Sequence, residues 1–204
     1  MHFLPRVETK IAMKSGSHSI SKKIKHMGNS NRFKTMILQA GLISAIFLGA
    51  SSFSTYTSNK EKNTQFLIKA AEINLEEIDL GKLAQQKSTM TDVKELGKMM
   101  ETDHHQSMNE LIALADKKTI ILPTSPTREA QEAYTKLAHK SEATFDRSYC
   151  DRMVNGHKEA IALFEKESKE SNDADIRKWA TETLPHLHIH LEHALACQSK
   201  CEKM

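Results

Sequence analysis

Acidic and histidine side chains recur in this chain at spacings that helices would bring together. Glu101 and His104 form a Glu-x-x-His pair, followed at once by His105. His186, His190 and His193 stand at positions i, i+4 and i+7. Residues three, four or seven apart share one face of a helix, so each set could present ligands to one ion. Carboxylates and imidazoles are ligands for iron, copper and zinc. The spacings therefore predict a transition-metal site, with the ion one of these three.

Helices are the elements that must position these residues. The chain contains seven glycines and four prolines, and no alternating β-branched run is long enough for a sheet. Four helices are predicted, at about residues 64–87, 89–118, 127–169 and 173–198, with Thr89-x-x-Asp92 as a capping box for the second. The predicted fold is all-α, an antiparallel four-helix bundle.

Each predicted helix carries an ionisable residue on or beside its apolar face. Residues 77 and 104 are equidistant from a turn near residue 90, and residues 104 and 146 from the Pro123–Pro126 loop. Equal distance from a hairpin turn predicts equal depth in a bundle. The predicted metal ligands are Glu77, Glu101, His104, Asp146, His157 and His190, with His186 and His193 as secondary candidates.

A structural role competes with the metal role for these residues. A buried carboxylate needs a partner or a raised pKa, and His104 is the simplest predicted partner for Glu77. Asp146 could instead pair with Tyr149 or Arg147, and the histidines of residues 186–193 could form a solvated helix face.

The N-terminal segment differs in composition from the rest. Residues 1–58 contain eight basic residues and one acidic residue, and an apolar run over 36–50 is followed by small residues. This pattern predicts a secretory signal peptide and a location in the periplasm or outer cell envelope, with Met27 as an alternative start. The run is short for a membrane span, so the protein would contact the membrane only through an uncleaved signal. The predicted organisation is a leader over 1–54, a linker over 55–63, a helical bundle over 64–198 and a tail over 199–204.

The charge distribution argues against a nucleic-acid partner. The net charge of +3 comes from the leader, because residues 59–204 hold 21 basic and 25 acidic residues. Hydrolase triads, phosphate loops and nucleotide fingerprints are also absent from the sequence. We therefore expect a protein that is not an enzyme and that could form homo-oligomers.

Three cysteines lie late in the chain, at positions 150, 197 and 201. In an oxidising compartment an odd number leaves at least one thiol without an intramolecular partner. Cys197 and Cys201 stand one helical turn apart. They could bind a soft metal ion, form a local disulfide or have no special role.

Residues 62–196 resemble a bacterial family known as domain of unknown function 4142, whose members are described as secreted or outer-membrane proteins. The matching elements are Met100-x-x-Asp103-His104, Phe145-Asp146-x-x-Tyr149, His157 and Leu184-Pro185-x-Leu187-x-x-His190. The resemblance implies a ferritin-like helical bundle in the cell envelope, and it implies no particular reaction.

Ferritin-like di-iron proteins combine one Glu from each of two helices with a Glu-x-x-His from each of the other two. The fourth predicted helix here lacks that motif, which argues against an oxidase or peroxidase that uses iron and oxygen. The leading hypothesis is an exported bundle whose inward acids and histidines bind a transition metal or form a polar network in the core. The alternative is a non-enzymatic envelope or stress-related interaction protein whose inner polar residues are purely structural.

Overall fold

The computed structural model describes the backbone of residues 32–203 and the side chains of residues 58–203. This part of the chain is all-α, without a β-strand. Its five helices are α1 (Arg32–Lys87), α2 (Thr91–Lys118), α3 (Arg128–Ala138), α4 (Glu142–Glu170) and α5 (Ala174–Cys201). No helix in the described range is long and apolar enough to cross a bilayer. Residues 48–204 form one compact unit, and residues 32–47 of α1 belong to a separate one.

The helix boundaries differ from the predicted ones in two places. The third predicted helix is interrupted at residues 139–141, where the Ser141 carbonyl accepts from the amides of Thr144 and Phe145 and so starts α4. No glycine or proline marks this break, and the sequence signal for it is Ser141 followed by Glu142, a favoured N-cap residue and an acidic first turn. α1 begins at Arg32, and residues 55–63 continue it as helix. The predicted signal peptide lies outside the residues whose side chains are described.

The turn between α1 and α2 is stabilised by a side chain other than the predicted cap. The Ser88 hydroxyl accepts a hydrogen bond from the backbone amide of Met90 at 3.0 Å. Met90 is the residue before α2 and has extended backbone angles, and no side chain caps the helix. The predicted capping box of Thr89 and Asp92 is therefore wrong.

Helices α1 and α2 pack closely through two glycines. A Cβ atom at Gly81 would lie 2.5 Å from the Gly97 carbonyl oxygen, and one at Gly97 would lie 2.7 Å from the Gly81 carbonyl oxygen. Further along, the Asn74 amide donates to the Ser107 hydroxyl at 3.2 Å. Lower residue numbers in α1 thus pair with higher numbers in α2, which means that the two helices run in opposite directions.

Helix α5 runs opposite to both α4 and α2. Gln198 donates to Asp151 at 2.7 Å, which joins the end of α5 to the first half of α4. Lys118, at the end of α2, forms ion pairs with Asp173 at 2.7 Å and Asp175 at 2.8 Å, at the start of α5.

The core divides into two apolar clusters with a polar layer between them. One cluster gathers around Met100, Phe145 and Tyr149, and the other around Phe66 and Phe164. Along α1, α2, α4 and α5, five of the buried polar residues fall between the parts of each helix that supply the two clusters. They are Asn74, Glu77, His104, His157 and His190. Burial of so many polar groups in one layer is costly unless each finds a partner.

Candidate metal centre

Three histidines from three helices meet in the polar layer. His104 comes from α2, His157 from α4 and His190 from α5, and their side chains are 3%, 1% and 2% exposed. One ring nitrogen from each lies within 4.8 Å of the other two. The ring centroids are 5.3 to 5.8 Å apart. The sequence prediction that these three residues face the interior is confirmed.

Oxygen acceptors fix the orientation of two of these rings. His157 Nδ1 lies 2.9 Å from the Met153 carbonyl oxygen, which can only accept, so Nδ1 carries the proton. His104 Nδ1 lies 2.8 Å from the Asn74 side-chain oxygen, while the Asn74 amide nitrogen donates to Ser107. His104 Nδ1 therefore also donates. In both neutral rings the Nε2 atom is left with a free lone pair.

A carboxylate fixes the third ring in the opposite tautomer. His190 Nε2 lies 2.9 Å from a carboxylate oxygen of Asp103, so Nε2 donates and Nδ1 keeps the lone pair. Carboxylate and carbonyl acceptors behind a ring are the usual outer partners of metal-binding histidines, because they set the tautomer and make the ring more basic.

The three unprotonated ring nitrogens lie close together and, in these tautomers, have no proton between them. His157 Nε2 and His190 Nδ1 are 3.3 Å apart, although both are acceptors in these tautomers. Moving the His157 proton to Nε2 would leave its Nδ1 atom facing the Met153 carbonyl without a hydrogen. His104 Nε2 is buried and has no hydrogen-bond partner. The cluster therefore has unsatisfied acceptors that a cation would satisfy.

Burial keeps the imidazoles neutral. Burial and the neighbouring His190 and His157 rings hold the pKa of His104 well below its ordinary value. Burial and His190 lower the pKa of His157 to about 4. Burial also lowers the pKa of His190, against the opposing effect of Asp103. Neutral imidazole is the form that binds metal ions, and it is present at neutral pH without loss of a proton.

A pocket of about 250 Å³ leads from the surface to the cluster. Its inner wall includes His104 and His190, and its outer part includes His186, Glu110 and Glu182. His186 and the two glutamates are exposed, whereas the two cluster histidines are buried. The pocket thus offers an entry route for a small cation, past two carboxylates and one imidazole.

The other predicted ligands lie outside this cluster. Glu77 is buried, with its Oε2 atom lacking a hydrogen-bond partner, and Glu101 accepts from Gln85 at 2.7 Å. Asp146 is buried in another part of the core, and the secondary candidates His186 and His193 are exposed. The predicted contact between Glu77 and His104 is wrong, because the partner of His104 on α1 is Asn74.

The depth argument for Asp146 is wrong because the loop after α2 is not a hairpin between the two long helices. α4 begins near Phe145, which packs in the same cluster as Val93 and Leu96 at the start of α2. α2 and α4 therefore run in the same direction, with α3 between them in sequence. His157, rather than Asp146, consequently lies at the level of His104.

Sequence reasoning missed the acceptors behind the rings. The sequence signal for Asn74 is its position: it is a polar residue between Ala70 and Glu77, on the apolar face of the first helix. Asp103 is next to His104 in the sequence, but its carboxylate accepts a hydrogen bond from His190 on another helix. The Met153 carbonyl has no sequence signal at all.

Comparisons with known proteins agree with the fold. A crystal structure of a DUF305 fragment from Deinococcus radiodurans matches with a TM-score of 0.60 and 12% identity, over 68% of this chain and 95% of that one. At this identity the match supports the helical fold alone. No curated protein matches the chain. Residues 49–197 match the family described as Domain of unknown function (DUF4142), as the sequence motifs predicted, and the chain therefore belongs to this family.

Proposed function

We propose that this protein is an exported cell-envelope bundle that binds a divalent transition-metal ion through His104, His157 and His190. Zn²⁺ and Cu²⁺ are the ions that neutral imidazoles suit best, and the proposed role is binding rather than catalysis. The observation that carries the proposal is the convergence of three buried lone pairs, each opposed by an oxygen acceptor on the far side of its ring.

We infer that four long helices form the ferritin-like bundle that holds this site. The opposed directions of α1 and α2 and of α4 and α5 support the arrangement, with α3 in the long connection between α2 and α4. Ferritin-like folds carry one such crossover connection, and their metal sites lie between facing helices.

The spacing of the donor atoms supports an ion of this size. Two nitrogens bound at about 2.0–2.1 Å in a tetrahedral site are about 3.3 Å apart. The nitrogens of His157 and His190 already have this separation, at 3.3 Å. His104 supplies a third nitrogen within 4.8 Å of these two.

A carboxylate-bridged di-iron centre does not fit these residues. The cluster supplies three nitrogens, and the carboxylates of Glu77, Glu101 and Asp146 are not part of it. Bridged iron pairs need several carboxylates at one depth. The residues therefore favour a single ion with nitrogen ligands.

Titration of the full-length, untagged protein after treatment with a chelator tests the proposal. We expect a Zn²⁺ or Cu²⁺ site whose affinity His104→Gln lowers at least about a hundredfold, because loss of a ligand exceeds the 10- to 100-fold effect of losing an outer partner. His105→Gln is the matched control, since His105 is the exposed neighbour on the same helix. Equal affinities in the two variants would show that the histidine cluster is only structural.

A stability measurement gives a second readout. An ion present at 100 times its dissociation constant stabilises the folded protein by about 2.7 kcal/mol, which raises the melting temperature by several degrees. If the melting temperature does not change when Zn²⁺, Cu²⁺ or Fe²⁺ is added, the purely structural role is favoured.

Export is tested separately, by sequencing the N-terminus of the protein recovered from the cell envelope. Recovery of the protein from the cytoplasm alone, with an intact start at Met1 or Met27, would refute export.

A further inference from the structure

A cluster of soft ligand atoms, separate from the three histidines, lies near the C-terminal end of α5. Cys150 from α4 and Cys197 and Cys201 from α5 have their sulfur atoms within 4.8 Å of one another. Cys150 Sγ and Cys201 Sγ are 3.9 Å apart. The thioether sulfur of Met90, just before α2, lies 3.7 Å from Cys201 Sγ. Four sulfur atoms from three segments thus meet beside one end of the apolar core.

The sulfur spacing fits an ion held between the atoms. Three thiolates in a plane around an ion at about 2.3 Å are about 4 Å from one another, and metal–thiolate bonds have about this length. The Cys150–Cys201 separation of 3.9 Å has this value. In a disulfide the two sulfurs would be about 2.05 Å apart and the third thiol would remain unused.

A buried carboxyl group, that of Asp146, stands one helical turn before Cys150 on α4. Asp146 is 8% exposed, its Oδ1 atom is buried without a hydrogen-bond partner, and it forms no ion pair with any described residue. A cation among the sulfurs would give this buried carboxyl group an electrostatic partner.

We propose that Cys150, Cys197 and Cys201, with Met90 as an additional donor, form a binding site for a soft monovalent ion of the Cu(I) class. Thiolates and thioethers are the ligands that select Cu(I), whereas protein zinc sites use thiolate, imidazole or carboxylate and not thioether. Binding is an exchange without electron transfer: each thiol that becomes a ligand releases its proton to solvent, and the ion takes its place.

The site is separate from the histidine cluster and has its own opening. Cys197 is seven positions after His190 on α5, which corresponds to about 10 Å along the helix axis. A pocket of about 210 Å³ reaches Cys197 and is lined also by Met99 and His193. His193, a secondary candidate from the sequence, thus lies at the entrance to the sulfur cluster rather than at the histidine cluster.

Anaerobic competition with a chromophoric Cu(I) chelator tests this proposal on the reduced, full-length, untagged protein. We expect Cys201→Ser to weaken Cu(I) binding at least tenfold. This variant should fold, because Cys201 is half-buried in the last turn of α5. We expect Met90→Leu to weaken binding less, and Met99→Leu, the matched control at the entrance, to leave it unchanged. Zn²⁺ binding at the histidine cluster should be the same in all three variants.

Several results would overturn the proposal. One is a wild-type Cu(I) affinity in Cys201→Ser. Another is an X-ray absorption spectrum of the Cu(I) protein without sulfur in the first shell. The third is a disulfide among these cysteines in protein whose thiols are trapped at the moment of cell lysis. Since the ion and the residues differ from those of the histidine cluster, failure here would leave the Zn²⁺ and Cu²⁺ titration unaffected.

Discussion

Replacement of Glu77 by Gln should change the pH dependence of stability in a predictable direction. The Glu77 side chain is 5% exposed, and its Oε2 atom has no hydrogen-bond partner. Burial, followed by the charge of Glu76, raises the pKa of Glu77 from 4.5 to about 8, while Arg152 opposes the shift. The carboxyl group is therefore protonated in the folded protein at neutral pH and ionised in the unfolded chain.

The raised pKa sets the sign and size of the effect. Below pH 4.5 both states hold the proton, and between 4.5 and about 8 unfolding releases it, so that stability falls as pH rises. The slope approaches 1.4 kcal/mol per pH unit, which gives about 3 kcal/mol between pH 5 and pH 7.5. Gln resembles the protonated carboxyl group in shape and does not titrate. Glu77→Gln should therefore gain about 3 kcal/mol relative to wild type over this range.

Urea unfolding followed by circular dichroism at pH 5, 6 and 7.5 measures this difference, with a chelator present to remove bound ions. The buried histidines titrate equally in both proteins and cancel in the comparison. Glu101→Gln is the control, because Glu101 is partly exposed and already accepts a hydrogen bond from Gln85. A difference between wild type and Glu77→Gln that stays constant from pH 5 to pH 7.5 would refute the reasoning, since it would mean that Glu77 is ionised in the folded protein.

Two further predictions concern the metal cluster and the helix contact. Asp103→Asn should weaken Zn²⁺ binding about 10- to 100-fold in a chelator competition, because it removes the charge behind His190; an unchanged affinity would exclude that supporting role. Gly97→Ala should cost about 2 kcal/mol in urea unfolding, since its Cβ would lie 2.7 Å from the Gly81 carbonyl oxygen and 2.8 Å from another side chain. Gly156→Ala is the control, with its nearest contact at 3.4 Å, and should be neutral or slightly stabilising. Equal losses in the two alanine variants would contradict the close helix contact.

The sequence predicted the inward faces of the helices well, for a physical reason. Helical periodicity determines which residues share a face, and His104, His157 and His190 each lie on or beside an apolar arc. Glu77 was expected to be buried on the same ground, and it is. Sharing an inward face is a property of one helix at a time, so that a single sequence suffices to predict it.

The level of each residue along the bundle could not be predicted in the same way. It depends on the directions and offsets of neighbouring helices, and the break at residues 139–141 allows α3 to intervene between α2 and α4. The sequence prediction does not include that break, and it therefore places Asp146 at the level that His157 occupies in the structure. The sulfur cluster was missed for the same reason, because it needs Met90 and Cys150 at the level of Cys201. Pairing across helices is a tertiary property that spacing within one helix does not contain.

Nitrogen-15 NMR of the histidine rings tests the convergence of three lone pairs most directly. Of the eleven histidines, three should be locked as neutral rings at pH 7, with the proton on Nδ1 in His104 and His157 and on Nε2 in His190. One equivalent of Zn²⁺ should shift the unprotonated nitrogen of each of these three rings and leave the exposed rings unchanged. Three rings that exchange between tautomers, or that do not respond to Zn²⁺, would contradict the account.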